Sequence, residues 1–121
     1  YRMHRLDKPI AETYRTSLSV AGEDGTLRRR LKQGMSGQVY GKSGYIKGVV
    51  ALSGYLVRDD GRSLAFSIML NEFNKPNFQG KRMIDRMVRA MDDYLADEAT
   101  DADASTTEVV TVGEGVDAPS E

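Results

Sequence analysis

The sequence predicts an α+β fold, with three consecutive antiparallel strands closed by a C-terminal helix and short helices ahead of them. Two dense apolar runs, VVALSGYLV and LAFSIML, flank a turn containing Asp60-Gly61. After them, apolar residues recur at Met83, Ile84, Met87, Val88, Met91, Tyr94 and Leu95, one face of a helical period. The chain has 121 residues and no cysteine, enough for one domain without disulfides or thiolate metal sites.

Taken in order, residues 9–18 show helical spacing at Ile10, Tyr14 and Leu18. Residues 22–31 read as a turn followed by a short basic helix over 27–31, with Thr26 as its cap. A strand is expected over 38–43, turning through the glycines of 44–48 into the first apolar run. Between the two runs, Gly61 accepts the positive φ of a tight turn, so a hairpin is expected there. Near-continuous apolar runs imply strands covered on both faces. A helix over 81–96 covers one face, with Gly80 at its first turn and Pro76 and Asn77 just upstream. Nothing in the chain obviously covers the other. Three strands and one long helix leave an edge and a face open. The natural partner is an upstream, N-terminal part of the same protein.

Charge divides the chain. All 17 Lys and Arg lie in residues 1–96 with ten acidic residues, leaving that body at +7. Residues 97–121 hold eight acidic and no basic residues. From 98 onward the composition is Ala, Asp, Thr, Glu and Gly without aromatics, which cannot offset its ordering entropy. The expected organisation is a folded unit over 1–97 and an acidic disordered tail over 98–121, in which 109–112 (VVTV) is the one strand-like run. The basic residues are scattered, and Arg28-Arg29-Arg30 with Lys32 lacks aromatic interleaving, so nucleic acid is not an expected partner. That cluster reads as a solvated face, or as a contact for the acidic groups of a peptide. No stretch approaches the roughly 20 apolar residues of a membrane span, and no signal peptide is visible.

The chemistry-bearing signal is Gly41-Lys42-Ser43-Gly44 at a predicted strand end. A lysine, a hydroxyl and a glycine in that order form one motif of the active-site serine enzymes that bind penicillin. Its bland reading is a strand end with a turn glycine. Successive side chains of a strand point to opposite faces, so Lys42 and Ser43 share a cleft only if the strand twists locally. His4 is the single histidine, in a basic terminus, and supports no Ser-His-Asp set. Metal-ligand spacing is absent and no organic cofactor is implied. The Met row of the helix reads as core.

The segments around that motif extend it. VAGEDGTLR, from Val20, resembles the AGxDGTLxxR stretch of the low-molecular-mass class C penicillin-binding proteins, which are D-alanyl-D-alanine carboxypeptidases and endopeptidases. GKSGYIKGV, from Gly41, resembles their KTGTLxGV element, with Ser43 and Tyr45 in place of threonines. ALSGY, from Ala51, is similar to a family strand, and Asp60-Gly61 with LAFSI resembles the hairpin that follows, closed by Asn71. The matches keep the family's order and spacing over about residues 9–96.

The resemblance implies a piece of the penicillin-recognising, β-lactamase-like fold, whose intact form has a five-stranded sheet with helices on both faces beside an all-helical part. It implies a hydrolase of peptidoglycan stem peptides that β-lactams acylate, periplasmic or otherwise extracytoplasmic. In that scheme Lys42 supplies positive charge, Ser43 hydrogen-bonds the substrate carboxylate, Gly44 lets the substrate backbone approach, and the Tyr45 N–H is an oxyanion donor. Yet no serine here is followed by lysine three residues on, or by asparagine two residues on. The Ser-x-x-Lys nucleophile and Ser-x-Asn motifs are missing, so the isolated chain is expected to be inactive. The alternative is a non-catalytic module in which the lysine strand holds a peptide carboxylate without turnover.

Overall fold

The computed structural model describes residues 7–35 and 37–102. Helix α1 (Lys8–Thr16) begins with Pro9 in its first turn, where the missing N–H costs nothing. A two-residue strand β1 (Ser19–Val20), a 3-10 turn (Gly25–Leu27) and one distorted turn α2 (Lys32–Met35) follow. Then come β2 (Val39–Ile46), β3 (Val49–Val57), β4 (Ser63–Leu70) and the long helix α3 (Asn77–Ala102). The sheet is antiparallel in the order β1-β2-β3-β4.

Both long hairpins follow from their glycines. Ile46 pairs with Val49, so Lys47-Gly48 alone makes the first turn, with Gly48 at φ 80°. Strand β2 therefore runs through the residues expected to form a broad turn over 44–48. One glycine in the left-handed region suffices for a two-residue loop, and the other backbone groups join the ladder. In the second hairpin Gly61 sits at φ 90°, Arg58 N–H donates to the Arg62 carbonyl, and the Arg62 N–H donates to Asp60.

One face of the sheet carries the core. Val39, Val50, Leu52, Leu56, Phe66 and Ile68 pack with Ile84, Val88 and Leu95 of α3. Ala21, Leu27, Leu31 and Met35 close the same cluster from the segment between β1 and β2. On the opposite face α1 covers only one end: Tyr14 meets Tyr55 edge to face at 6.2 Å, and the Arg15 guanidinium lies 5.8 Å from the Tyr40 ring centre. Farther along that face Ser53, Ser67 and Met69 are exposed. Among the described residues the expected two-sided cover of β3 is thus present around Tyr55 and absent beyond it.

Four expectations are corrected. The sheet has four strands rather than three, because two residues of β1 pair with Tyr40 and Gly41. No basic helix forms over 27–31: Leu31 adopts φ 55°, and the two leucines are buried by tertiary packing rather than by a helical stripe. Thr26 therefore caps no helix and instead bonds Ser43 and Ser19. Helix α3 begins at Asn77 and continues past the boundary set at 97/98 to Ala102, where each added residue gains a backbone bond once the helix is nucleated. Residues 103–121, with the strand-like 109–112, and His4 lie outside the described residues.

Candidate active site

The candidate residues lie on the outer edge of β2. Strand β1 pairs with Tyr40 and Gly41 only, so from Lys42 to Ile46 that edge has no strand beside it among the described residues. The direction of the backbone groups follows from two bonds. The Ala21 N–H donates to the Val39 carbonyl on the β1 side, and the Val57 N–H donates to the Gln38 carbonyl on the β3 side. In an antiparallel ladder this alternates by residue. Lys42, Gly44 and Ile46 thus turn their backbone groups to β3, and Ser43 and Tyr45 turn theirs outward.

The side chains divide the other way. Lys42 stands on the open face, in register with Ser53 and, across β3, Ser67, whose hydroxyls are 2.8 Å apart. Its Nζ reaches over the edge and donates to the Ser43 carbonyl at 2.7 Å. Ser43 stands on the core face, where its hydroxyl donates to Thr26 Oγ1 at 2.8 Å. The Thr26 N–H donates in turn to Ser19 Oγ at 3.2 Å. The two side chains therefore do not converge in one cleft. They meet at the edge, where the lysine ammonium sits against the backbone of its neighbour.

Gly44 is exposed, and a Cβ built there meets only the Ala51 Cβ at an ordinary 3.7 Å. The fold itself does not require glycine at 44. Tyr45 is 59% exposed. Hollows occur along α3, lined by Lys75, Arg82 and Arg86 among others, and beside α1, lined by Pro9, Ile10 and Tyr14. Neither is lined by residues 42–45. The β2 edge is an open wall, and a second wall is needed to make it a cleft.

The segment AGEDGT supplies what sequence reasoning missed. Asp24 accepts the Val20 N–H at 2.7 Å, folding the loop back on β1. Gly25 sits at φ 55°, and a Cβ there would fall 2.2 Å from Ser19 Oγ. Only glycine lets the loop bring Thr26 to Ser43. The signal is present in Asp24-Gly25-Thr26, but the turn and capping propensities of these residues mask the contact with Ser43. Among the described residues no group of three or more His, Asp or Glu side chains is placed to hold a metal ion.

Comparison with known proteins bears on these residues. Residues 3–94 match the model of the D-Ala-D-Ala carboxypeptidase 3 (S13) family. A D-alanyl-D-alanine carboxypeptidase of Actinomadura sp. (strain R39) is 43% identical over 74 residues, 56% of this chain and 14% of that protein. Penicillin-binding protein 4 of Haemophilus influenzae, known from a crystal structure, is 27% identical with a TM-score of 0.48, over 53% of this chain and 15% of that one. The chain thus spans a small part of the length of each relative.

Proposed function

Because this chain belongs to the D-Ala-D-Ala carboxypeptidase 3 (S13) family, we propose that it forms one wall of the active site of a serine-type D-alanyl-D-alanine carboxypeptidase or endopeptidase. The observation that carries the reading is the β2 edge left unpaired among the described residues, with the outward backbone of Ser43 and Tyr45 beside the Lys42 ammonium. An extended peptide ending in a carboxylate adds to such an edge by main-chain hydrogen bonds.

In this reading the roles divide as follows. The Ser43 hydroxyl, relayed to Thr26, turns to the substrate's terminal carboxylate. Lys42 provides positive charge beside it. Gly44 leaves room for the peptide backbone. The Tyr45 N–H donates to the carbonyl oxygen as negative charge develops there. A serine outside these 121 residues attacks the D-Ala-D-Ala carbonyl, D-alanine leaves with a proton, and water hydrolyses the acyl-enzyme. β-Lactams acylate the same serine. The setting is extracytoplasmic, since the substrate is cell-wall peptidoglycan. The second reading, a module that holds a peptide carboxylate without turnover, is favoured by one observation: the sequence contains neither Ser-x-x-Lys nor Ser-x-Asn.

Fluorescent penicillin separates the two. Labelling of the product of the complete reading frame, and not of these 121 residues, is expected for the enzyme. Absence of labelling from both leaves the binding module. In the complete protein, Lys42→Ala is expected to slow acylation on the order of a hundredfold, the usual cost of removing one charge-stabilising donor. An unchanged rate removes Lys42 from the site.

A further inference from the structure

The solvent face of α3 carries a charge pattern that works against an isolated helix. Arg82 and Arg86, one turn apart, are both exposed, as are Asp93 and Asp97. Like charges at i,i+4 repel. The order also opposes the macrodipole, with bases in the N-terminal half and acids toward the C-terminus. No acidic residue lies in the first turn and no basic residue in the last. None of the four has a hydrogen-bond or ion-pair partner among the described residues. The charges flanking the sheet are engaged: Asp85 with Arg30, Asp92 with Arg58, and Arg89 with the Gln33 carbonyl. Beside the four free charges run Met83, Met87, Ala90 and Tyr94 at the four-three-four spacing of a helix seam, with Met87 40% and Tyr94 36% exposed. They lie next to Ile84, Val88, Met91 and Leu95, the row that faces the core.

We propose that this face pairs with the same face of a second copy of the chain, α3 against α3, antiparallel about a two-fold axis between Arg89 and Ala90. That register sets Arg86 against Asp93 of the second copy and Arg82 against its Asp97, each pair occurring twice by symmetry. Both like-charge repulsions within each helix become attractions between helices, and the two macrodipoles run in opposite directions. Ala90, next to the axis, is small enough for close approach. A second copy fits better than a general polyanion because acids and bases are equal in number and equally spaced about one point. A single helix pair is small against the roughly 1,600 Å² of a standard interface, so the association is reversible. The proposal does not depend on the carboxypeptidase reading, because it requires no nucleophile.

Sedimentation velocity on the complete protein over a wide dilution series tests it. A monomer–dimer equilibrium that weakens with salt is expected. Arg86→Glu replaces two attractions with two repulsions and weakens association by roughly tenfold or more. Asp93→Arg does the same. The combined Arg86→Glu, Asp93→Arg variant restores the dimer, and the two single variants mixed together form a heterodimer. These positions are exposed, and circular dichroism of each variant verifies the fold. A chain that stays monomeric at every concentration overturns the proposal. That includes the case in which acidic residues of 103–121 occupy Arg82 and Arg86 within one copy. A combined variant no better than either single one also overturns it.

Discussion

At the scale of single residues, the glycines of β2 and β3 separate structural from functional demand. Gly54 pairs with Gly41 across the two strands, and a Cβ on Gly54 would fall 2.0 Å from the Tyr40 carbonyl oxygen and 2.7 Å from the Gly41 Cα. Backbone cannot yield as a flexible side chain does. Gly54→Ala is therefore expected to destabilise the chain by roughly 3 kcal/mol or more, read from a urea midpoint. Gly44 is the contrast, with ordinary contact at 3.7 Å and no positive φ. Gly44→Ala is expected to change stability by less than about 0.5 kcal/mol. If substrate approaches along the edge, the same change slows penicillin acylation of the complete protein. A Gly44→Ala protein that acylates normally removes the close approach from the site. The Lys-Ser-Gly motif was legible in the sequence, and so was the conflict of pleat between Lys42 and Ser43. Thr26 was not legible as Ser43's partner, because that contact depends on how the glycine loop folds over β2.

At the scale of elements, the hairpin between β3 and β4 shows how charge secures a turn. The Arg62 side chain, then its backbone N–H, and more weakly Arg58 hold the Asp60 carboxyl well below the usual carboxylate range. Because the folded value is depressed, the contribution is present above the unfolded value of about 4 and is lost as pH falls further. The group is exposed, so the effect on global stability is small and screened by salt. It is visible in the titration itself: Arg62→Ala is expected to return the Asp60 midpoint toward about 4 in a carboxyl NMR titration. An unmoved midpoint assigns the shift to another group. Elements with strong periodic or turn signals, β3, β4, α1 and the body of α3, were readable from sequence. The failures have one cause. Leu27 and Leu31 recur at helical spacing, but Arg30 reaches Asp85 at 2.6 Å and both leucines enter the core beneath α3, so tertiary packing overrides local period. The two-residue β1 has too few residues to carry any pattern.

At the scale of the whole molecule, cover is unequal, and the candidate site lies along one of the uncovered edges. Strand β3 is paired on both sides and backed by α3, whereas among the described residues β2 beyond Gly41, like β4, is paired on one side only. Local stability should follow the same gradient, because amides open according to the bonds and packing that hold them. Within β2 the alternation gives a sharper expectation. The Lys42 and Gly44 amides point to β3 and should be protected from hydrogen exchange. The Ser43 and Tyr45 amides point outward and should exchange much faster, although they lie in the same strand and adjacent in sequence. Residue-resolved exchange by NMR measures this directly. Equal protection along β2 means that another segment occupies the edge, and it would withdraw the Tyr45 N–H as an available oxyanion donor. Adding a substrate-like D-Ala-D-Ala peptide to the complete protein should then slow exchange at Ser43 and Tyr45 first, since those are the amides an added strand would engage. Slowing confined to other residues would place the ligand away from this edge.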